Sequence, residues 1–271
     1  MCDLWMYTSS ERTPIGAIPF QLSQVLSTVD SVVSVDSGKR RWLKLYNASN
    51  FFDPKSIPRE DLTEIARLCS KFERVIVENH PRFCDDRMRS FAEQLDAQLE
   101  VAMGLETIHP KAMAAMNKGM TLDDFLRAIE KCHSLGVDVR AFVLLHPPGI
   151  ALAESVEWTW KTVAYALEHK VRHVSIIPVR AGNGWIDNLI QLGQYELPTL
   201  SLVKTLYDAR YAQDITLHST SVVEFDLWDW DNLKGGCERC RPKFKDHIER
   251  CNRTQNIRPM NEIKIDCECN L

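Results

Sequence analysis

The chain has 271 residues, of which 45% are hydrophobic and 26% are charged, as in an ordinary soluble globular domain. Its 33 Lys and Arg against 37 Asp and Glu give a formal net charge of −4. The overall charge of the chain therefore does not favour binding to nucleic acid or to an anionic membrane. The clean apolar stretch at 141–145 is far shorter than the roughly 20 residues of a membrane helix. The first five residues lack the basic leader and apolar run of a signal peptide, so we expect a cytoplasmic protein with no membrane partner.

Short apolar runs alternate with amphipathic segments along most of the chain. The predicted strands are 42–46, 74–78, 99–104, 137–145, 173–178 and, with a weaker pattern, 214–218. The predicted helices are 18–33, 58–72, 85–97, 122–135, 154–168 and 199–212. Successive strands begin roughly 25 to 40 residues apart, which leaves room for a helical crossover and therefore predicts parallel strands. The pattern predicts an α/β fold, and five or six such units favour a barrel or part-barrel over an open sheet.

Polar residues, glycines and prolines follow five of these strands directly, at 46–50, 78–82, 104–107, 146–149 and 179–184. In parallel α/β folds such loops build the functional site. Ordinary βα loops are also polar, but Glu78 and Glu106 each close a strand, where a buried carboxylate without a partner is costly. We therefore expect the five loops to converge on one functional rim, where His80 and His146 would be candidates for substrate contact.

Five of the nine cysteines lie after residue 236, and Cys237-x2-Cys240 is followed by Cys267-x-Cys269. In a reducing compartment, thiolates paired at short spacing are more typical of a metal site than of disulfides. These four cysteines would suit zinc or a second iron–sulfur cluster, and Cys251 could substitute for one of them as a ligand. The simpler alternative is that the five cysteines are unrelated and bind no metal. Lys234-Gly235-Gly236 is typical of a hinge, so the predicted domains are a body, 1–233, and a cysteine-rich metal-binding tail, 234–271.

Several motifs, in the right order, resemble those of the radical S-adenosylmethionine (radical SAM) superfamily. Cys2-Asp3-Leu4-Trp5 resembles the end of its C-x3-C-x2-C loop, and residues 45–53 resemble the second-strand motif of its tRNA-modifying branch. Glu78-Asn79-His80-Pro81 is similar to the third-strand E-x-x-P motif. Residues 104–107, followed by Asn117-Lys118-Gly119, resemble a stretch of the elongator-type subunit. The resemblance covers almost the whole chain and is greatest to the archaeosine-type proteins, which also end in a cysteine-rich tail.

The resemblance implies a partial (β/α)6 barrel that lacks its first strand, with a small cysteine-rich extension. It also implies a 4Fe–4S cluster with Cys2 as one of three thiolate ligands, and reductive cleavage of S-adenosylmethionine (SAM) to a 5′-deoxyadenosyl radical. Flavodoxin or ferredoxin would supply the electron, and a nucleoside in tRNA would be the substrate. The implied SAM contacts are Glu78 and Glu106 for the amino group and ribose hydroxyls, Lys118 for the carboxylate, Tyr46, Asn47 and Ser49 on the methionine side, and Ile177 to Val179 on the adenine side.

One thiolate cannot hold this cluster, so the resemblance predicts that the first two cluster cysteines and their strand precede Met1 in the complete gene. A second interpretation is a non-catalytic, zinc-stabilised barrel module that has lost the cluster. A third is a barrel hydrolase or lyase in which Glu78 and Glu106 work as a carboxylate pair. The aromatic and acidic alternation at 225–231 is typical of an edge strand or a flap, with base stacking as the alternative.

Overall fold

The computed structural model describes residues 8, 10–32, 42–47, 49–212, 221–256, 259–260, 263 and 269. Three sequence-based predictions lie outside these residues: Cys2, Cys267 and the strand at 214–218. Among the described helices, none combines the length and the apolar character needed to cross a membrane.

Six parallel strands form one sheet in strict chain order. They are β1 Trp42–Leu45, β2 Arg74–Glu78, β3 Gln98–Glu106, β4 Asp138–Leu145, β5 His173–Pro178 and β6 Val222–Phe225. A doubly wound sheet reverses its strand order at a switch point, whereas a barrel keeps the order of the chain. The sequential order therefore confirms the predicted α/β class with partial-barrel topology. The first five strands were predicted from sequence, but β6 was not.

The predicted helices are present, with shifted ends, and three further helices join them. The described helices are α1 Ala17–Val32, α2 Leu62–Cys69, α3 Asp86–Gln94, α4 Pro110–Met116, α5 Leu122–Ser134, α6 Ser155–Glu168, α7 Trp185–Gln191, α8 Leu200–Ala212 and α9 Cys240–Thr254. Helix α5 begins with a capping box in which the Thr121 and Asp124 side chains each accept the other's backbone N–H. Sequence reasoning missed α4, α7 and α9, of which the first two have only seven residues each.

The chain divides into two compact units. The amino-terminal unit comprises Leu4–Met103 and Met120–Val139. Its core includes Phe51 and Phe52, which directly follow the β1 loop and pack edge to face with ring centroids 5.0 Å apart. The buried Asn79 side chain accepts, through its Oδ1, a hydrogen bond from the Phe52 backbone N–H at 3.3 Å. The backbone N–H of Asn79 donates to the Ala102 carbonyl at 2.9 Å. These contacts fix the loop after β1 against the end of β2, because a buried amide must satisfy its hydrogen bonds.

The carboxyl-terminal unit comprises Gly104–Gly119 and the described residues from Arg140 onwards. In this unit α9 covers β6 through side-chain amides. The Asn252 amide bonds both the N–H and the carbonyl of Phe225, at 3.0 and 2.8 Å, and Gln255 accepts from the Val223 N–H at 2.8 Å. These bonds satisfy backbone groups of a strand at the end of the sheet, which would otherwise be open to pairing.

The glycine pair predicted as a hinge is braced within the carboxyl-terminal unit. Gly235 and Gly236 both have positive φ, 95° and 73°, which glycine adopts without strain. The preceding Lys234 carbonyl accepts from the Leu200 N–H at 2.8 Å, and the Arg241 guanidinium donates to the Gly235 carbonyl at 2.7 Å. The described part of the tail thus begins from a fixed turn, while the domain boundary at residue 234 stays a prediction.

Candidate cofactor site and thiol cluster

In the amino-terminal unit, the loop after β1 lies beside the end of β2. The parallel register pairs Leu45 with Val77, so Tyr46 and Glu78 are the next residues along the two strands. The Phe51 N–H donates to the Glu78 carbonyl at 2.9 Å, which closes the loop onto that strand end. The structure thus brings together the predicted SAM contacts Tyr46, Asn47 and Glu78.

Two polar side chains of this loop differ in their hydrogen bonding. Ser49 accepts a hydrogen bond from the Ser56 hydroxyl at 2.6 Å. The Asn47 Oδ1 atom is buried and has no hydrogen-bond partner among the residues that the structure describes. A buried acceptor without a partner costs about 1–3 kcal/mol, which a ligand donating a hydrogen bond would recover. Asn47 therefore fits the predicted role as a ligand contact.

In the carboxyl-terminal unit, the end of β3 carries a compact ion pair. The Lys118 ammonium donates to the Glu106 carboxylate and, at 2.5 Å, to the Gly104 carbonyl. Both side chains are largely shielded, with 25% of Lys118 and 18% of Glu106 exposed. Glu106 has φ 64° and Asn117 has φ 44°, so two left-handed residues direct the chain around this pair. A Cβ on Gly104 would overlap both Lys118 Nζ and Glu106 Oε1, so a larger residue here would displace the ends of these two side chains.

The predicted adenine-side residues lie at the end of β5 in the same unit. Ile177 pairs with Leu144 in the sheet register. Val179 packs in a buried cluster with Ile186 and Tyr195. Their apolar character is compatible with an aromatic ligand, but their role as SAM contacts stays a prediction.

The loop after β4 contains a buried polar cluster that sequence reasoning did not assemble. His146 has φ 60° and is only 3% exposed, and its Nδ1 lies 2.6 Å from the Ser155 hydroxyl. The Tyr195 ring stacks on the imidazole and its hydroxyl donates to the His146 carbonyl at 2.5 Å. Burial lowers the pKa of His146, although the backbone of Glu196 opposes that shift. His146 thus braces the loop after β4, and its contact with substrate stays a prediction.

His80 also has a local role in the structure. Its Nδ1 accepts from the Arg82 N–H at 3.2 Å and thereby caps the 3-10 turn Pro81–Phe83. The chemistry of an N-cap explains why a histidine at this rim position need not contact a ligand. The capping bond uses only Nδ1, so contact between His80 and substrate stays a prediction.

Three tail thiols form a cluster at the start of α9. The Sγ atoms of Cys237, Cys240 and Cys269 all lie within 4.8 Å of one another, and those of Cys240 and Cys269 are 3.3 Å apart. Hydrogen bonds from the backbone of Cys240, and then of Arg239, lower the pKa of Cys237 to about 6. The thiolate is the form of cysteine that binds metal, so the lowered pKa of Cys237 favours binding of a soft or borderline cation by these three thiols. Cys251 lies buried near the other end of α9.

The comparisons with known proteins agree with the motifs. No protein-family model matches the chain. The chain is 26% identical over 241 residues to the archaeosine synthase subunit beta of Methanosarcina acetivorans, covering 84% of this chain and 66% of that protein. It is 24% identical over 280 residues to an uncharacterized protein of Methanocaldococcus jannaschii, covering 99% of this chain and 74% of the relative.

A solved structure shares the fold. The archaeal Elp3 of Methanocaldococcus infernus, with residues 1–46 deleted, superposes with a TM-score of 0.60 at 12% identity, over 92% of this chain and 63% of that chain. The present chain thus spans about two thirds of the length of this protein and of the archaeosine synthase subunit. The chain is thus similar in sequence to an archaeosine synthase subunit beta and shares its fold with an archaeal Elp3, in agreement with the order of its motifs.

Proposed function

We propose that this chain forms the SAM-binding body of a radical SAM enzyme that modifies a nucleoside in tRNA. The observation that carries the proposal is the shielded pair of Lys118 and Glu106 at the end of β3. A cation and an anion held side by side are complementary to the carboxylate and ammonium groups of an amino acid such as the methionine part of SAM. The relatives named archaeosine synthase support the tRNA substrate class.

In this proposal, the residues of the chain bind SAM and orient it. Lys118 would turn from Glu106 towards the ligand carboxylate as a point charge, while Glu106 accepts from the ligand amino group. Glu78, Asn47, Tyr46 and Ser49 would supply the remaining polar contacts. The apolar end of β5, at Ile177 and Val179, would exclude water from the adenine.

The cluster needs more thiolates than this part of the chain offers. A 4Fe–4S cluster of this superfamily takes three protein thiolates, and Cys2 is the only cysteine before Cys69. In our proposal the other two ligands come from residues upstream of Cys2. When bound, the reduced cluster supplies the electron for cleavage of SAM, with flavodoxin or ferredoxin as the donor.

A binding experiment tests this proposal without catalysis. The full gene product, including the codons upstream of Met1, is reconstituted anaerobically, and SAM binding is measured by calorimetry. Glu106→Gln and Lys118→Met should each weaken SAM binding at least tenfold, whereas Lys161→Met, which removes an exposed lysine of α6, should not. Unchanged affinity in both site variants contradicts the assigned contacts. Absence of 5′-deoxyadenosine under dithionite in a brown, fully reconstituted protein contradicts the radical chemistry.

We further propose that the tail thiols hold one zinc ion as a structural site. Cys237, Cys240 and Cys269 lie in reach of one cation, and Cys267 would be the fourth ligand. This zinc site also supports the second candidate, a zinc-stabilised module without catalysis, which predicts a stop codon or no cysteines upstream of Met1.

Metal and acid-labile sulfide analysis distinguishes the tail's two metal candidates. We expect about one zinc per chain, lost in the double variant Cys237→Ser with Cys240→Ser and retained in Cys251→Ser. Iron with a matching amount of sulfide in the tail would show that these cysteines bind an iron–sulfur cluster and not zinc. An equal metal content in all three proteins would contradict the site.

A further inference from the structure

Four sulfur side chains from separate segments of the amino-terminal unit meet in its interior. Cys84 follows the 3-10 turn after β2, Met88 lies on α3, Met103 on β3 and Cys132 on α5. The Cys84 Sγ lies 3.8 Å from the Met103 Sδ, and the Cys132 Sγ lies 3.7 Å from the Met88 Sδ. Side-chain hydrogen bonding with Cys132 lowers the pKa of the Cys84 thiol, so the two sulfur pairs are neighbours. We call these residues the sulfur quartet.

The surroundings of the quartet are apolar. Met88, Met103 and Cys132 have no solvent exposure, and the nearby core contains Phe91 and Phe125. Cys84 is partly exposed and provides a route from solvent. The polar group that contacts it is the Asn79 amide, which donates to the Cys84 Sγ at 3.6 Å. A hydrogen bond of this kind favours the thiolate form of Cys84.

We propose that the sulfur quartet is a binding site for a soft monovalent cation, Cu(I). Two thiols and two thioethers are ligands that soft cations select, whereas magnesium, calcium and manganese require oxygen donors. The spacing agrees with this chemistry: metal–sulfur bonds of about 2.3 Å place the ligands of a tetrahedral site about 3.8 Å apart. The two measured sulfur separations already have this length, so binding needs little movement of the chain at those pairs.

The two thioether ligands also favour copper over zinc, which proteins bind through thiolate, imidazole and carboxylate groups. Cu(I) replaces the protons of Cys84 and Cys132, which pass to solvent, and no electron is transferred. The thioethers complete the coordination without adding charge. This inference is independent of SAM binding.

Anaerobic titration with Cu(I) against a chromophoric copper chelator tests the proposal on the full chain. The tail thiols will also bind copper, so the double variant Cys237→Ser with Cys240→Ser defines their share. Cys84→Ser and Cys132→Ser should each lose one tightly bound copper per chain that the tail variant retains. Met88→Leu keeps both thiols and nearly the same volume, and it should weaken this site by more than the roughly 10-fold that loss of an outer contact costs.

Cys69→Ser is the matched control for a buried thiol. Cys69 is a buried thiol like Cys132, but it lies on α2, outside the sulfur quartet. Copper stoichiometry equal to wild type in this variant, with the losses above, supports the proposal. The same copper content in the Cys84, Cys132 and wild-type proteins overturns it.

A measurement that leaves the sulfur quartet unchanged covers the case in which the quartet variants do not fold. Copper-edge X-ray absorption of the tail variant loaded with one equivalent of Cu(I) should show sulfur ligands alone at about 2.3 Å. Nitrogen or oxygen ligands, or formation of a Cys84–Cys132 disulfide in place of copper binding, would overturn the proposal.

Discussion

The guanidinium of Arg241 ties α9 to the segment that follows β6, and its removal should release that segment. Arg241 donates to four backbone carbonyls: Leu233 at 2.6 Å, Gly235 at 2.7 Å, Trp230 at 2.8 Å and Asp231 at 3.2 Å. The first and third of these bonds are partly buried, whereas the other two are exposed. Arg241→Ala therefore leaves two shielded carbonyls without their donor.

The expected cost follows from this division. A buried hydrogen bond contributes about 1 kcal/mol net, and the exposed carbonyls regain water, so Arg241→Ala should lower the free energy of unfolding by about 2 kcal/mol. For a chain of this size that loss corresponds to a fall in Tm of about 4 to 8 °C. Arg241→Lys should recover less than half of the loss, because a point charge cannot replace the planar fork of donors.

Thermal unfolding measures the stability, and hydrogen–deuterium exchange of residues 230–241 locates the change. The matched control is Arg250→Ala, which removes the same charge from an exposed position of the same helix. We expect this control to stay within about 0.5 kcal/mol of wild type. If Arg241→Ala is no less stable than Arg250→Ala, and exchange at 230–241 is unchanged, then the carbonyl contacts do not fix this segment.

Three further predictions concern the site and its supports. Gly104→Ala should displace the ends of the Lys118 and Glu106 side chains. The affinity for SAM, measured by calorimetry, should therefore fall while Tm changes little. A large fall in Tm with intact SAM binding would contradict this prediction. Tyr195→Phe removes the donor to the His146 carbonyl and should cost about 1–2 kcal/mol in chemical denaturation, a result that equal midpoints would refute. Although burial opposes it, hydrogen bonding from His173, with help from Ser175 and Arg140, lowers the pKa of Glu224 from 4.5 to about 2. Stability from this carboxylate is therefore complete above pH 4.5 and is lost as the pH falls towards 2. It should amount to about 3 kcal/mol, and Glu224→Gln should remove this part of the pH dependence.

Local patterns in the sequence determined most of the secondary structure. Alternating apolar runs predicted β1 to β5, and the Thr121 and Asp124 pair predicted the start of α5, because hydrophobic period and capping depend on neighbours within a few residues. The strand β6, Val222–Phe225, was not recognised from its sequence. The family motifs supplied the candidate SAM contacts, since the order of short polar motifs along the chain is itself a property of the sequence.

Which side chains meet was decided by the tertiary structure. Sequence reasoning assigned Lys118 and Glu106 separately to a ligand, whereas the turn of α4 and the left-handed Asn117 bring them together as a pair. The Tyr195 hydroxyl reaches His146 across 49 positions of the chain. Cys84, Met88, Met103 and Cys132 have no sequence signature, because a sulfur atom in a core helix or strand follows the same apolar period as leucine. Hydrophobic periodicity specifies which face of an element is buried, but the partners across the core depend on packing between distant segments.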